Sequence, residues 1–241
     1  MSELGLSFGR VAELYDRVRP QYPEESLDRA QEALELDASA KILDLAAGTG
    51  RLTEALAKRF ANVVAVEPDD AMRALIAHGE VLAGSAEAIP LADSSVDAVF
   101  VGEAFHWFDA GRAVREIERV LRWRGGVALI SNMWWETVPP LPDDALELLR
   151  IPYLASGRAD AVATWREVFD ASAFEPLRDE TFRWELRADP ETLLDLYQTT
   201  SSIAALPDEE RQSLTAEVRS LLDGTYTLPV RTELTWSRLT E

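Results

Sequence analysis

Short apolar runs alternate with amphipathic segments along the first half of the chain. The compact runs at 41–46 (KILDLA), 62–66 (NVVAV) and 96–102 (VDAVFVG) are typical of strands buried on both faces. Two further strands are predicted, a short one at 80–83 and a longer one at 127–133. Helices are predicted between them, at 8–18, 23–36, 51–60, 70–77 and 110–121. Because buried strands that alternate with helices form a parallel sheet covered on both faces, a ligand is expected at the carboxyl ends of the strands.

The alternation becomes less regular after Trp135 and predicts a different completion of the sheet. Pro139, Pro140 and Pro142 indicate a loop. The elements predicted after that loop are helices at 143–149, 164–169, 190–206 and 208–222 and strands at 174–186 and 226–239. We therefore expect a doubly wound, mostly parallel α/β sheet that is completed by an antiparallel hairpin, with helices inserted over its ligand edge.

Composition narrows the possible partners. The 241 residues carry a formal charge of −19, and the only lysines are Lys41 and Lys58, so a nucleic acid or an anionic membrane is a poor partner. There is no cysteine, there are two histidines, and no paired metal-ligand motif is present, so no metal is assigned. The N-terminus lacks an apolar signal core. We expect a cytoplasmic monomer or homodimer that acts on a small molecule.

A glycine turn between a buried strand and a helix carries the candidate chemistry. The segment 42–50 reads ILDLAAGTG, and the next strand ends at Glu67, close to the position from which an acid can hold both hydroxyls of a ribose. A glycine pair alone is weak evidence, because Gly48 and Gly50 could serve a purely structural turn. Glu67 could likewise be an ordinary exposed acid at a strand end. The combination of strand, small-residue loop, helix, strand and terminal acid favours a nucleotide-type ligand.

Two nucleotide-type ligands compete for this loop. A dinucleotide loop has a third glycine that lets the helix approach the pyrophosphate, and here the run AAGTGRLT lacks it. Asp44 stands just before the loop, where its charge repels a pyrophosphate and suits a cationic ligand. S-adenosylmethionine has a sulfonium, an α-amino group and no phosphate.

These segments resemble the class I S-adenosylmethionine-dependent methyltransferases, and most closely their small-molecule (type 11) branch. The resemblance rests on ILDLAAGTGRLTEALAKR, VVAVEPDDAMRALIA, VLAGSAEAIPLADSSVDAVFVGEAFHWFD and VLRWRGGVALISNMWW, and it covers residues 5–135. SFGRVAELYDRVRPQYP and AFHWF are similar to trans-aconitate methyltransferase-like proteins. The resemblance implies a seven-stranded Rossmann-like methyltransferase fold. It divides the chain into an N-terminal helical lid (1–38), a cofactor-binding core (39–135) and a remainder with the acceptor-side insertion (136–241).

The resemblance also implies roles for individual residues. Asp44 would interact with the methionine moiety of the cofactor, Gly48 would offer its backbone to the α-amino group, and Glu67 would bind the ribose hydroxyls. Ala46 stands where the family usually has glycine, which is tolerable if its φ is negative. The further cofactor contacts that it implies are Ala46, Gly50, Pro68, Asp69, Met72, Ser85, Ala86, Glu87, Glu103 and Ala104.

The catalytic residue is harder to predict, because methyl transfer needs a base only when the acceptor atom carries a proton. His106 is the candidate base, and a structural or packing role for this histidine is the alternative. Trp107, Trp134 and Trp135 could form an apolar wall around the acceptor, or could pack in the core. The residues of the lid that are predicted to meet cofactor or acceptor are Tyr15, Arg19 and Tyr22.

The leading hypothesis is thus a methyltransferase that acts on oxygen, nitrogen or carbon of a small molecule, including a carboxylic acid. A non-catalytic S-adenosylmethionine-binding regulator and, less favoured, a nicotinamide-dependent oxidoreductase remain as alternatives. A carboxylate acceptor would need an arginine such as Arg19 and no base, whereas a phenol, an amine or a carbon acid would make a base such as His106 useful.

Overall fold

One mixed sheet runs through the described part of the chain. The computed structural model describes Gly9 and residues 11–134, 141–155 and 165–240, with the backbone alone for 151–155. The strands are β1 (Lys41–Leu45), β2 (Asn62–Val66), β3 (Glu80–Leu82), β4 (Val96–Gly102), β5 (Leu121–Met133), β6 (Arg178–Ala188) and β7 (Tyr226–Arg238). Their order is β3-β2-β1-β4-β5-β7-β6. Strands β1 to β5 pair in parallel, whereas β7 is antiparallel to β5 and to β6. The doubly wound α/β sheet with a terminal antiparallel hairpin is confirmed.

Helices cover both faces of the sheet. Along β1 the side chains alternate, so that Ile42 packs on one face and Leu43 on the other. The helices are α1 (Ala12–Val18), α2 (Glu24–Ala33), α3 (Arg51–Ala57), α4 (Asp70–Arg73), α5 (Ala110–Val120), α6 (Asp143–Ala155), α7 (Trp165–Asp170), α8 (Pro190–Gln198), α9 (Ser201–Ala204) and α10 (Asp208–Leu221). Helices α2 and α3 share a core with the Ile42 face, and α5 and α7 share one with the Leu43 face. None of these helices is long and apolar enough to cross a lipid bilayer.

The helix α5 shows how the local sequence sets these elements. Asp109 precedes the helix and its side chain accepts a hydrogen bond from the backbone N–H of Arg112 at 3.1 Å, which caps the helix. Val114 and Ile117 are buried against the sheet, as their spacing of three residues on one helix face requires. The capped, amphipathic helix therefore orients the preceding loop at the end of β4.

A third core lies over the carboxyl edge of the sheet and belongs to the later helices. It combines α6, α8 and α10 with the ends of β6 and β7, and Trp134 is its largest fully buried side chain. Trp134 follows β5 directly, so this helical layer is attached to the sheet at the edge where the ligand is expected. The predicted insertion of helices over that edge is thus present in the fold.

The single helix predicted at 190–206 is wrong, because the structure divides it into α8 and α9. Thr199 lies between them, and its hydroxyl donates to the carbonyl of Leu196 at 2.6 Å. The hydroxyl of Thr200 donates to the carbonyl of Tyr197 at 2.7 Å. Threonine side chains that bond the preceding turn compete with continuation of the helix. The interruption leaves Thr199 available to a residue of the lid.

The start of the fifth strand was also predicted wrongly, at Val127. The structure begins β5 at Leu121, directly after α5, and the register against β4 shifts between Val96 and Ala98. Arg124 lies in this irregular part with φ of +63°. The segment 122–126 (RWRGG), which lies between the predicted helix at 110–121 and the predicted strand at 127–133, is therefore a distorted beginning of the strand.

Candidate active site

A cavity of about 640 Å³ lies at the carboxyl edge of the sheet. The ends of β1, β2, β4 and β5 form its floor, and α1 and the third core cover it. Parallel sheets place ligands at this edge, so the topology and the cavity agree. The sequence-predicted residues that line it are Tyr15, Arg19, Tyr22, Asp44, Ala46, Gly48, Glu67, Asp69, Met72, Glu103, Ala104, His106, Trp107 and Trp134.

The glycine loop turns sharply through left-handed backbone conformations. Gly48 has φ of +59° and Gly50, which precedes α3, has φ of +88°. Ala46 also has a positive φ, of +58°, so the negative value under which its methyl group would be tolerated without strain is not found. An alanine in this region is strained by about 1–2 kcal/mol relative to its ordinary conformation. The turn of the loop therefore requires conformational strain at Ala46 that a glycine at this position would avoid.

Glu67 is buried beside this loop and is held by two backbone amides. Its Oε2 accepts a hydrogen bond from the N–H of Gly48 at 2.8 Å, and its Oε1 accepts from the N–H of Asp69 at 2.9 Å. Burial raises the pKa of the Glu67 carboxyl, while the two amide hydrogen bonds act in the opposite direction. Each carboxylate oxygen can accept a second hydrogen bond. The side chain therefore presents two fixed acceptor atoms to the cavity, as a vicinal diol requires.

Asp44 is fully buried at the end of β1, and only one of its two oxygens has a partner. Oδ2 accepts from the Thr53 hydroxyl at 2.6 Å, whereas Oδ1 has no hydrogen-bond partner among the described residues. Burial, and then the nearby Glu67 carboxylate, raise the pKa of Asp44 to about 7. A buried acceptor without a donor is costly. A cationic donor in the cavity would satisfy Oδ1 and favour the ionised carboxylate, which fits an ammonium or sulfonium ligand.

The end of β4 brings a third carboxylate to the cavity, and this one is half-buried. Glu103 has φ of +58°, and its Oε1 accepts a hydrogen bond from the N–H of Asn132 at 2.5 Å. Burial raises the pKa of Glu103 to about 7, although the charge of Arg19 and the Asn132 amide lower it. Ala104 follows in the same loop. The cavity thus holds two separate carboxyl groups that titrate near neutral pH.

His106 and Trp107 lie in a short 3₁₀ turn that follows Glu103. Their rings are 4.8 Å apart between centroids, with His106 exposed and Trp107 half-buried. Phe105, which precedes them, is buried and packs on Phe169 with 5.5 Å between centroids. This aromatic packing fixes the turn against α7 and leaves the imidazole at the cavity mouth. The structure thus brings His106 to the site, and its role as a base stays a prediction.

Arg19 attaches the predicted lid segment to the opposite side of the cavity through hydrogen bonds to Thr199. Its Nε donates to the Thr199 hydroxyl at 2.8 Å and its Nη2 donates to the Thr199 carbonyl at 2.6 Å. The guanidinium carbon lies 4.9 Å from the ring centroid of Tyr15 and 5.8 Å from that of Trp134. These contacts connect the end of α1 with the break between α8 and α9. The interruption of the predicted helix at Thr199 therefore supplies the anchor of the lid.

Tyr22 closes the site from the segment between α1 and α2. Its hydroxyl oxygen lies 2.5 Å from the position that a Cβ on Gly102 would occupy, so the glycine at the end of β4 permits this close approach. Burial is the main cause that raises the pKa of Tyr22, and the Glu103 carboxyl acts in the same direction. Tyr22 therefore lies beside Glu103 as a neutral phenol.

Some predicted residues are not among those that line the cavity in the described chain. Gly50 precedes α3 and Ala86 packs in the core beneath the β4 loop. The Oε1 of Glu87 accepts a hydrogen bond from the N–H of Asp109 at 3.1 Å, so this side chain is directed at the start of α5. Pro68 and Ser85 are also absent from the lining, and Trp135 lies outside the described residues.

Sequence reasoning missed several polar residues of the cavity. Asn132 could have been found, because it ends β5 in the same way that Glu67 and Glu103 end their strands. Tyr197 and Ser201 were hidden by the prediction of one continuous helix. Thr49 gave no signal, although its hydroxyl is buried without a partner among the described residues. No group of three or more potential metal ligands is found in the part of the chain that the structure describes.

Comparison with known proteins agrees with this fold and site. The family described as "Methyltransferase domain" matches residues 43–130. Uncharacterized methyltransferase Rv3342 of Mycobacterium tuberculosis (strain H37Rv) is 37% identical over 224 residues, which cover 91% of this chain and 87% of the relative. A malonyl-acyl-carrier-protein O-methyltransferase of Methylococcus capsulatus is 38% identical over 137 residues, 52% of this chain and 50% of that protein. The crystal structure of the YcgJ protein from Bacillus subtilis superposes with a TM-score of 0.59 at 20% identity, covering 91% of this chain and all of that one.

Fold, site and relatives define a class of enzyme. The chain belongs to the methyltransferase family, as a class I S-adenosylmethionine-dependent methyltransferase. The structural likeness below 25% identity shows the fold alone, so the family rests on the sequence relatives.

Proposed function

We propose that this enzyme binds S-adenosylmethionine along the ends of β1, β2 and β4 and transfers its methyl group to a small molecule in the same cavity. The observation that carries the proposal is the buried Oδ1 of Asp44, which has no partner among the described residues. A cationic donor is the ligand that this oxygen would favour. The cofactor carries such a group and supplies an activated methyl group bound to sulfur.

The residues of the edge fit the parts of the cofactor in sequence along the sheet. Glu67 on the β2 side presents two oriented acceptors for the ribose hydroxyls. Asp44, one strand further, would receive the α-ammonium group. Met72 and Asp69 flank the same end of the cavity and would contact the ribose and adenine. In this order the reacting end of the cofactor would lie towards β4, near Glu103 and Ala104.

A nicotinamide cofactor fits the same edge poorly. The start of α3 follows Gly50 without the third glycine of a dinucleotide loop, and the Asp44 carboxylate lies where a pyrophosphate would pass. Repulsion between the Asp44 carboxylate and the negatively charged pyrophosphate in a buried site would oppose binding. The geometry therefore favours a cation over a diphosphate.

The rest of the cavity suits an acceptor with an apolar or aromatic body. Trp107, Trp165 and Tyr197 also line the cavity. Of the four arginines that line it in the described part of the chain, Arg166 is engaged by Asp179 through two hydrogen bonds, at 2.6 and 3.1 Å, and Arg19 by Thr199. The named O-methyltransferase among the relatives supports oxygen as the atom that is methylated.

Calorimetry with S-adenosylhomocysteine, the demethylated product, tests the cofactor site without turnover. The wild-type protein is expected to bind one equivalent and to give no heat with NAD. Glu67→Ala removes both oriented acceptors and should weaken binding more than about tenfold, since each hydrogen bond to a charged group contributes about 1.5–3 kcal/mol. Glu80→Ala is the matched control, because Glu80 is an exposed acid at the start of β3. Equal affinity of the two variants for S-adenosylhomocysteine would remove Glu67 from the site, and binding of NAD would contradict the proposal.

A further inference from the structure

The sheet order separates Glu103 from the acids that are proposed to hold the cofactor. Glu67 ends β2, Asp44 lies on β1 and Glu103 follows β4, in the spatial order β2-β1-β4. Neighbouring strands are about 4.8 Å apart, so two strand spacings, roughly 10 Å, lie between the strand of Glu67 and that of Glu103. If the ribose lies at β2 and the ammonium group at β1, Glu103 lies beyond them, on the side of the reacting methyl group.

Glu103 is held in one orientation by its own backbone and by β5. Its N–H donates to the carbonyl of Ile130 at 2.9 Å, and its Oε1 accepts from the N–H of Asn132. The backbone of Asn132 is itself held by the pairing of β5 with β7, and its side-chain Oδ1 accepts a hydrogen bond from the Thr232 hydroxyl at 2.6 Å. No hydrogen bond joins Oε2 of Glu103 to any described residue, and the side chain lines the cavity. One carboxylate oxygen is therefore anchored while the other remains available to a ligand.

The groups that face Glu103 affect the ionisation of its carboxylate, so that it can accept a proton at neutral pH. Arg19 is the positive charge that acts on it, and Tyr15 and Tyr22 are the phenols whose pKa it raises. Arg19 is itself fixed by Thr199 and stacks on Tyr15. The carboxylate is thus half-buried, oriented and only partly neutralised, which is the environment of a general base.

We infer that Glu103 is the catalytic proton acceptor and that the methyl acceptor bears a weakly acidic hydroxyl of phenol or enol type. The inference rests on the proposed function, since it takes the cofactor to lie at β1 and β2. The aromatic side chains Trp107, Trp165 and Tyr197 would pack against the body of such an acceptor.

The proposed step balances as follows. The acceptor oxygen forms a bond to the methyl carbon as the carbon–sulfur bond breaks, and the electron pair of that bond stays on sulfur. The proton of the acceptor hydroxyl passes to Oε2 of Glu103. The products are the methyl ether, the neutral thioether and a protonated Glu103, which returns its proton to water when the products leave.

Two features favour Glu103 over the alternatives. His106 is exposed at the cavity mouth and stacks on Trp107, so its ring is open to solvent, whereas Glu103 lies at the end of the strand where the reacting group is expected. A carboxylic acid acceptor would bring a second negative charge towards Glu103, which opposes its binding. Two nitrogens of Arg19 already donate hydrogen bonds to Thr199, so they do not neutralise that second charge. Both points favour a neutral hydroxyl as the reacting group.

The test combines transfer of labelled methyl groups with cofactor binding that does not depend on turnover. Wild type, Glu103→Gln, His106→Gln and Glu80→Gln are each assayed with catechol, 4-nitrophenol, an enolisable 1,3-diketone, benzoate and a tricarboxylic acid as acceptors. Glutamine at 103 keeps an acceptor for the backbone N–H of Asn132 and cannot take a proton. Glu80→Gln is the matched control, since Glu80 is an exposed carboxylate on β3 and is not among the residues that line the cavity. Affinity for S-adenosylhomocysteine is measured for each variant by calorimetry.

We expect transfer to at least one phenol or to the diketone and not to the carboxylic acids. Glu103→Gln should reduce the rate at least about 100-fold, as loss of a general base does, and should remove its dependence on pH near 7. Its affinity for S-adenosylhomocysteine should stay within about threefold of wild type, and Glu80→Gln should match wild type in both assays. The inference is overturned if Glu103→Gln transfers methyl at the wild-type rate or loses cofactor affinity in parallel. Transfer to carboxylic acids alone, or to no panel member while S-adenosylhomocysteine binds, also overturns it; failure of the wild type to bind S-adenosylhomocysteine refutes the proposed function instead.

Discussion

Replacing Asp44 by asparagine removes a buried negative charge and leaves the shape of the side chain almost unchanged. In the wild type the carboxylate has one partner, Thr53, and its Oδ1 has none among the described residues. Burial raises the pKa of Asp44 from 3.8 to about 7. The ionised carboxylate therefore lowers the stability of the protein without ligand, and it contributes favourably only when a cation occupies the cavity. We expect the substitution to stabilise the protein and to weaken the binding of its cofactor.

The size of the effect on stability follows from the pKa. Because one pKa unit corresponds to about 1.4 kcal/mol, ionising Asp44 above pH 7 costs the folded state up to about 4 kcal/mol relative to the unfolded state. The new amide NH₂ would be a buried donor without a partner, which costs about 1–3 kcal/mol. The net gain at pH 8 is then roughly 1–3 kcal/mol, equivalent to a rise in Tm of roughly 3–10 °C for a chain of this size.

The dependence on pH gives the sign of the effect. The folded-state pKa of Asp44 lies above its unfolded value, so the unfolded state holds fewer protons than the folded state between pH 4 and 7, and the wild type loses stability as pH rises through that window. Asparagine does not titrate. The advantage of Asp44→Asn in the free energy of unfolding should therefore be full above pH 7 and should disappear as the pH falls towards 4.

The assays are urea unfolding between pH 4 and 8 and calorimetry with S-adenosylhomocysteine, whose affinity should fall roughly 10- to 100-fold because a hydrogen bond to a charged group is lost. Asp97→Asn is the matched control on β4, where the carboxylate accepts two hydrogen bonds at 2.8 Å from Arg122. It should be neutral or slightly destabilising and should leave affinity for S-adenosylhomocysteine intact. A negative stability difference between Asp44→Asn and wild type at pH 8, or a difference that does not change between pH 4 and 8, would refute the reasoning, as would unaltered affinity for S-adenosylhomocysteine.

Other predictions follow from the same site. In the wild type, affinity for S-adenosylhomocysteine should fall as pH drops below 7, because protonation of Asp44 (pKa about 7) removes the charge that binds the ammonium group; calorimetry at pH 5.5 and 8 checks this, and equal affinities would contradict it. Ala46→Gly relieves a φ of +58° and should raise the free energy of unfolding by up to about 1 kcal/mol after the entropic cost of glycine, which urea unfolding would show; destabilisation would argue against the strain. Gly102→Ala would place a methyl group 2.5 Å from the Tyr22 hydroxyl and should cost about 1–3 kcal/mol in the same assay, whereas a neutral result would mean that Tyr22 moves freely. Phe169→Ala should cost about 3–5 kcal/mol, since the fully buried ring supports Phe105 and the β4 loop; a cost below 1 kcal/mol would contradict that packing.

The elements with a strong period were predictable from the sequence. The strands at 62–66 and 96–102 have the predicted bounds, because their apolar runs end in turn residues or strand-end acids. Asp69 lies directly before the helix predicted at 70–77, and its Oδ1 accepts hydrogen bonds from the backbone amides of Ala71 and Met72, which caps α4. Strand ends and helix caps of this kind depend on residues that are adjacent in the sequence, so they can be predicted without knowledge of tertiary contacts.

The parts that were missed depend on contacts distant in sequence. The break between α8 and α9 is reinforced by Arg19, which lies 180 residues from Thr199 in the chain. The anchoring of Glu103 likewise needs the amide of Asn132, on the next strand. The conformation of Ala46 was not visible either, because alanine ordinarily avoids a positive φ and only the surrounding loop imposes it. Sequence reasoning identified the acids of the edge, while their orientation and ionisation required the folded chain.

A crystal structure of the complex with S-adenosylhomocysteine is the most direct measurement of the cofactor site. The account predicts the ligand's ammonium group within about 2.7–3.2 Å of Asp44 Oδ1 and its ribose hydroxyls on the two oxygens of Glu67. A ligand bound elsewhere, or bound at this edge with Asp44 Oδ1 still unpartnered, would contradict it.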